Sequence, residues 1–394
     1  MRKFLVFALT FALLISYIGV VIYGSGDEII PEDRDDLQFA DAPEINADAA
    51  VLMDATTGTV LFTKNASEPL PPASVTKIMT LLLVAEAIAS GDITLSDKVV
   101  VSENASSMGG SQIFLKEGEE FTVEELLKST VIASANDAAV ALAECLAGSE
   151  DAFVKKMNKR AEELGMKNTN FENATGLDDT VTNHNVSAYD IAIMSRELIK
   201  HDVITKYSNV WQDSIRNGEF ILTNTNRLVR FYDGCTGLKT GSTDKAGFCV
   251  SATAKRGDMH LIAVIMGAET RDERNNAARA LLDYGFANYG LYYEAEGNLE
   301  NVKVLYGVKN TVVVRAGNFA KIMSKEDKKK VEKFYTIPET LTAPINEGDI
   351  VGEIVYKVND EVVGRCDIIA NESVERLKLS TIFIRIVKTI IFGG

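Results

Sequence analysis

Residues Pro71 to Lys77 read Pro-Pro-Ala-Ser-Val-Thr-Lys and run straight into an apolar, helix-forming segment, Ile78 to Ala89. The rest of the chain is organised around this stretch, because it places Ser74 at or near a helix N-terminus with Lys77 on the same face. A serine and a lysine three positions apart on one helix come within hydrogen-bonding reach. A serine hydroxyl is a poor nucleophile until a neighbouring base takes its proton, and a lysine does so only if burial or a nearby cation lowers its pKa. Backbone N–H groups at the helix start also favour negative charge beside them. Ser-x-x-Lys alone carries little information, since any helix cap followed by a surface lysine matches it.

Two later stretches change its weight: Ser134-Ala135-Asn136 and Lys239-Thr240-Gly241. In this order and spacing the three resemble the penicillin-recognising serine enzymes. The flanking residues narrow the likeness. Ala73-Ser74-Val75-Thr76-Lys77-Ile78-Met79-Thr80, Asn173-Ala174-Thr175-Gly176-Leu177, Thr223-Asn224-Thr225-Asn226-Arg227-Leu228 and Gly237-Leu238-Lys239-Thr240-Gly241 resemble the serine D-alanyl-D-alanine carboxypeptidases among the low-molecular-mass penicillin-binding proteins. The likeness runs from about Ala49 to Tyr289 and continues more weakly to the C-terminus.

The resemblance implies a set of roles. Ser74 would attack the carbonyl of the penultimate D-alanine, Lys77 would be the base, and Ser134 would relay the proton to the leaving amine. Asn136 would hold the peptide amide and the Lys77 head. Lys239, as a second cation near Lys77, would depress its pKa and draw in the terminal carboxylate, to which Thr240 would hydrogen-bond. Gly241 would clear a strand edge for an incoming extended peptide. The backbone N–H groups of Ser74 and Ser242 would form the oxyanion hole. Arg274 lies where the family carries a carboxylate-steering arginine, with an exposed helix-start arginine as the alternative. His184, His201 and His260 match no role and read as structural. Class A β-lactamases position a deacylating water with a Glu-x-x-x-Asn loop, for which this chain offers Glu172-Asn173, so rapid penicillin hydrolysis is not expected.

With 46% apolar and 25% charged residues, the 394-residue chain has a globular composition long enough for two domains. A net charge of −15 argues against nucleic acid, which needs a basic face. The cysteines Cys145, Cys235, Cys249 and Cys366 show no Cys-x-x-Cys spacing and there are only three histidines, so neither a metal site nor a cofactor is implied. Cys145 and Cys366 read as small buried hydrophobes; Cys235 and Cys249 flank a hairpin and are either free or paired.

Residues 1–25 read as a signal peptide or signal anchor, with Met1-Arg2-Lys3 ahead of the uncharged Phe4 to Tyr23. Residues 26–45 form an acidic linker. Residues 46–291 are expected to be an α+β catalytic domain, an antiparallel sheet with packed helices and a helical subdomain, of the penicillin-recognising transpeptidase and β-lactamase type. Capping boxes at Thr122/Glu125 and Ser187/Asp190 mark helix starts, which puts Ser134 and Asn136 on a helix–helix connection. Alternating segments make 292–372 a small all-β domain. In 373–394, Lys378, Thr381, Arg385, Lys388 and Thr389 fall on one face of an otherwise apolar helix, read as an in-plane membrane anchor, with packing on the β domain as the alternative. The expected partners are a peptidoglycan stem peptide ending in D-Ala-D-Ala, β-lactams as inhibitors and a membrane surface, for a protein exported to the outer face of the cytoplasmic membrane. A penicillin-acylated sensor without turnover, and a β-lactamase, are the competing functions.

Overall fold

The computed structural model describes residues 42–179 and 181–378, with 380, 383, 390 and 391 of the tail. The signal segment, most of the linker and most of the C-terminal helix lie outside the described residues. A hairpin of β1 (Ala49–Asp54) and β2 (Val60–Lys64) precedes a short 3-10 turn, Ala73–Thr76, which feeds α1 (Lys77–Ser90). The helical block follows as α2 (Val123–Ile132), α3 (Asn136–Ala147), α4 (Glu150–Glu163) and α5 (Ala188–Leu198). The chain then returns as β3 (Cys235–Thr243), β4 (Gly247–Arg256) and β5 (Met259–Ala268), closed by α6 (Arg271–Asn288).

These strands form one antiparallel sheet in the order β2-β1-β5-β4-β3. The long insertion between β2 and β3 packs on one face and α6 on the other. This explains why β1 reads Ala-Ala-Val-Leu-Met without polar alternation. Its Ala49, Val51 and Met53 join the helical-block core, while Ala50 and Leu52 join the core under α6. The pairings leave β3 at the sheet edge nearest the nucleophile turn. That motif strand extends beyond the expected Gly237–Thr240 to include Gly241, Ser242 and Thr243.

Beyond α6 a third core forms around Val312, Val314, Tyr356, Ile368 and Val374. Its main sheet pairs Val314–Ala316, Glu361–Ala370, Ile350–Val358 and Glu332–Thr336 in that order, with Gly297–Asn298 at the far edge. This is the all-β unit, but it reaches past residue 372. Val374 is fully buried, Val374 N donates to Ile345 O at 2.9 Å, and Leu377 N donates to Tyr306 O at 2.8 Å. The tail therefore leaves this unit after Leu377.

Two cysteine expectations change. Cys145 is exposed, because α3 turns its buried face toward Ala138 to Ala143 and has rotated off the core by that position. Cys235 and Cys249 sit on adjacent strands out of register, Cys249 opposite Gly241 and Cys235 opposite Ala254, and both are free thiols. Cys366 is buried, as expected.

The Thr122/Glu125 box forms in full, whereas at Ser187 only the side-chain half of the expected box does, because Ser187 N donates to Asn168 O and the Asp190 carboxylate is taken by Asn168 N and Thr169. Thr122 Oγ1 accepts from Glu125 N at 3.1 Å while Glu125 Oε2 accepts from Thr122 N at 3.2 Å. Ser187 Oγ accepts from Asp190 N at 3.1 Å. Replacing Thr122 by Ala removes one half of its box and is expected to lower the unfolding free energy by about 1 kcal/mol. Urea titration checks this; a change below about 0.3 kcal/mol would show that packing alone fixes the start of α2.

Candidate active site

The nucleophile turn begins with Ala73 in the left-handed region (φ 48°), which lets Ser74 face the cleft just before α1 starts. Lys77 Nζ donates to Ser74 Oγ at 2.8 Å and to the Thr175 carbonyl at 2.9 Å. Lys77 is fully buried, and burial, reinforced by the charge of Lys239 and opposed by Asp137, holds its pKa well below the ordinary lysine value. A lowered pKa beside a serine hydroxyl is what a base in that position requires. The second cation does contribute, as expected, but burial is the larger cause.

Ser134 occupies the connection between α2 and α3 with a positive φ of 62°. Its Oγ accepts from Lys239 Nζ at 2.6 Å, and Lys239 Nζ also donates to the Thr240 carbonyl at 3.0 Å. Asn136 opens α3, donating its side-chain N–H to Gly109 O at 2.7 Å and its backbone N–H to Ser111 O at 2.7 Å. It thus ties the connection to the 109–111 loop. Among the described residues it makes no hydrogen bond to the Lys77 head, and its Oδ1 is buried without a partner. That acceptor is the part of Asn136 left for a ligand amide.

Gly241 also has a packing task that the sequence did not show. A Cβ there would lie 2.8 Å from Ser74 N and 2.9 Å from Pro72 O, so the missing side chain lets β3 close against the nucleophile turn itself. Thr240 donates its hydroxyl to Thr225 at 2.7 Å. Arg274 is 3% exposed, with its guanidinium on Asn275 Oδ1 at 3.1 and 3.0 Å, which removes the exposed-arginine alternative. Burial first, and then the charges of Arg271 and Arg227, lower its pKa to about 10, so it stays cationic at neutral pH. A cavity of about 750 Å³ opens over these groups, lined by Ser74, Ser134, Thr240, Gly241, Ser242 and Arg274 among others. Lys77, Asn136 and Lys239 lie buried behind that lining.

Several supporting residues were given no role in the sequence reading beyond membership of a matched stretch or a structural one. Asp137 is buried and accepts from Ile113 N and Leu115 N at 3.1 and 3.0 Å, which pins the chain beside the cleft. Asn173 Oδ1 accepts from Gly176 N at 2.7 Å, curling the loop that presents the Thr175 carbonyl to Lys77. Gly176 (φ 81°) touches the nucleophile turn so closely that a Cβ would fall 1.8 Å from Ala73 O. His184 Nδ1 accepts from Glu172 N at 3.0 Å, which leaves Nε2–H to bond Thr76 at 2.8 Å. Burial lowers its pKa to about 4, so it is a neutral strut between that loop and the nucleophile turn. No group of three His, Cys, Asp or Glu side chains suited to a metal occurs among the described residues.

The D-alanyl-D-alanine carboxypeptidase family profile matches residues 36–270, and the profile of the penicillin-binding protein 5 C-terminal domain matches residues 291–376. The chain belongs to the D-alanyl-D-alanine carboxypeptidase family. The D-alanyl-D-alanine carboxypeptidase DacF of Bacillus subtilis is 46% identical over 337 residues, covering 84% of this chain and 86% of that one. Penicillin-binding protein 5 from Haemophilus influenzae superposes with a TM-score of 0.74 at 32% identity, over 85% of this chain and 99% of that one. Penicillin-binding protein D2 from Listeria monocytogenes, solved in its ampicillin-bound form, gives a TM-score of 0.57 at 30% identity over 62% of this chain and 98% of its own. The chain is therefore a serine-type carboxypeptidase with the penicillin-recognising α+β fold and a C-terminal all-β domain.

In this carboxypeptidase the buried lysines also set a pH dependence of stability. Burial, and then the charge of Arg274, lower the Lys239 pKa to about 7 in the folded protein, against about 10.4 for an unperturbed lysine. Between those limits the unfolded chain holds a proton that the folded chain has released, so this group makes stability rise with pH. The rise is at most about 1.4 kcal/mol per pH unit, and it is absent below pH 7, where both states are charged. Urea unfolding at about pH 7.5 and about pH 9 should show a steeper rise for the wild type than for Lys239→Gln. Equal slopes would mean that Lys239 titrates as an ordinary lysine.

Proposed function

We propose that Ser74 is the nucleophile that removes the terminal D-alanine from peptidoglycan pentapeptides, with Lys77 as its base. The observation that carries this reading is the 2.8 Å bond from a fully buried, pKa-depressed Lys77 to Ser74 Oγ. Lys77 takes the serine proton as Oγ bonds to the carbonyl carbon of the penultimate D-alanine. The backbone N–H groups of Ser74 and Ser242 receive the developing oxyanion. Ser134, steadied by Lys239 at 2.6 Å, relays the proton to the departing amine as the C–N bond breaks. Lys239, Thr240 and Arg274 hold the terminal carboxylate, and the free Asn136 Oδ1 accepts from the peptide N–H. Water then hydrolyses the ester.

Penicillin acylates the same serine, and the ester persists because, among the described residues, no Asp or Glu lines the cavity to activate water. Glu172 is spent on the loop instead, accepting from Thr182 N at 2.8 Å and Asn183 N at 3.0 Å. Mass spectrometry of the penicillin-treated protein is expected to show one adduct on Ser74, absent in Ser74→Ala. Release of free D-alanine from an acyl-D-Ala-D-Ala peptide is expected to disappear with it. An adduct that survives the substitution would refute the assignment, and an adduct without D-alanine release by the wild type would make the protein a sensor.

In this reading residues 1–25 export the chain to the outer face of the cytoplasmic membrane, 26–45 link it and 46–291 carry catalysis. The β domain follows, and the tail lies in the membrane plane. Support for the last step comes from the polar face of the tail and from Phe383, Ile390 and Ile391, all exposed. A mature chain ending at Lys378 keeps every pairing of 374–377 with the β domain. It is expected to be soluble and fully active on small peptides, whereas the full mature chain sediments with anionic vesicles. Failure of the full chain to sediment would assign the tail to the protein core.

A further inference from the structure

The cavity does not end at the groups that hold a terminal carboxylate. Past Thr240 and Arg274 it continues along Trp211, Phe231, Arg227 and Arg271. Its volume of about 750 Å³ is in the range that encloses a drug-sized ligand, far more than the methyl group of a departing D-alanine fills. Its charge is as distinctive as its size. The chain carries 56 acidic residues against 41 basic ones, yet no Asp or Glu lines this cavity while three arginines do.

Arg227 and Arg271 are exposed on the rim, and neither has an ion-pair or side-chain hydrogen-bond partner among the described residues. Both raise the cost of charging Arg274, which places all three guanidinium groups in one field. Asp272 lies with Arg227 and Arg271 on an adjoining groove of about 360 Å³ without an ion pair to either among the described residues, and the Glu273 carboxylate in the same helical turn is bonded to Asn46 and Thr270 instead. Arg271 and Arg274 also both fall within the first four residues of α6, an 18-residue helix whose N-terminal end disfavours positive charge. In the proposed reaction Arg274 takes the terminal carboxylate, which leaves the solvated outer pair open to a second anion.

We propose that Arg227 and Arg271 form an anion subsite for the side chain of the departing residue, so that the enzyme releases a C-terminal D-residue bearing a second carboxylate, such as D-glutamate, in preference to its neutral isostere. This rests on the carboxypeptidase reading of the same site. The chemistry is unchanged: Ser74 Oγ bonds to the carbonyl carbon, the C–N bond breaks, the leaving amine takes the relayed proton, and water resolves the ester. What differs is the group carried by the leaving residue. Its α-carboxylate stays on Thr240 and Arg274, while its side-chain carboxylate reaches the outer arginines, whose planar forks suit bidentate capture.

The test compares acyl-D-Ala-D-Glu, acyl-D-Ala-D-Gln and acyl-D-Ala-D-Ala on the mature wild-type enzyme and on the Arg227→Gln/Arg271→Gln double variant, reading each released amino acid by chromatography. The D-Glu to D-Gln ratio of kcat/KM is expected to be at least about tenfold in the wild type at low salt, to shrink in about 0.5 M NaCl, and to fall toward one in the double variant. A wild-type ratio near one, or a ratio that the double variant keeps, overturns the subsite while D-alanine release continues. Loss of D-alanine release from acyl-D-Ala-D-Ala by the folded wild type overturns the carboxypeptidase reading and the subsite together. Because both arginines are exposed, the double variant folds without a core penalty, which its melting temperature verifies.

Discussion

Two lysines buried close enough to perturb one another, with no carboxylate in ion-pair contact among the described residues, are the constraint on which the rest of this molecule depends. Burying an unpaired ammonium costs several kcal/mol, and a protein usually escapes that cost by pairing or by losing the proton. For Lys77 burial acts in the second direction and drives its pKa down. Its head bonds a serine hydroxyl and a backbone carbonyl, neither of which carries charge. A carboxylate in place of Thr175 O would have raised that pKa. The field of Lys239, itself held down by burial and Arg274, is the second safeguard.

Holding that arrangement requires three separate pieces of chain to meet within hydrogen-bonding distance, and the fold supplies one element for each. The sheet delivers β3 as an edge strand, the helical block delivers the left-handed Ser134 connection, and α1 delivers the Ser74–Lys77 turn. Their approach is limited by backbone rather than by side chains. Gly241 and Gly176 are the two points where a methyl group would strike the nucleophile turn from opposite directions. His184 then locks the Gly176 side of this contact without adding charge, because its ring is neutral and both of its nitrogens are used.

The parts of this site that the sequence disclosed were those coded locally. The spacing of Ser74 and Lys77 on one helix, the capping box of α2 and the N-cap serine of α5, and the polar pair between two helices all follow from rules spanning a few residues. What stayed hidden were contacts between distant segments. The Thr175 carbonyl lies 98 positions from Lys77, and Ser134 lies 105 from Lys239. No periodicity encodes such a meeting. For the same reason the close approach of Gly241 to Ser74 N was not foreseen, and Asn136 was given to the Lys77 head when its N–H groups hold the 109–111 loop. Cys145 misled in a simpler way: an apolar run on a helix says which residues are apolar, while the helix phase decides which of them reach the core.

The charge distribution links these levels. A protein of net charge −15 would repel an anionic substrate if its acids were spread evenly, and a peptide ending in carboxylate is such a substrate. The acids are instead drawn off into local duties. Asp137 and Glu172 are spent on backbone N–H groups, Asp190 on Asn168 N and Thr169, and Glu119 and Glu124 on Arg216 and Lys206. None of these lines the cleft, whose innermost arginine, Arg274, is buried, where a charge is screened less than on an open surface. The cleft is thus a cationic recess in an anionic protein. Its innermost charge, on Lys239, lies near its titration point and is bonded directly to Ser134. An arriving carboxylate would favour the charged form of that lysine, so binding the substrate would itself complete the electrostatics that the proposed relay through Ser134 needs.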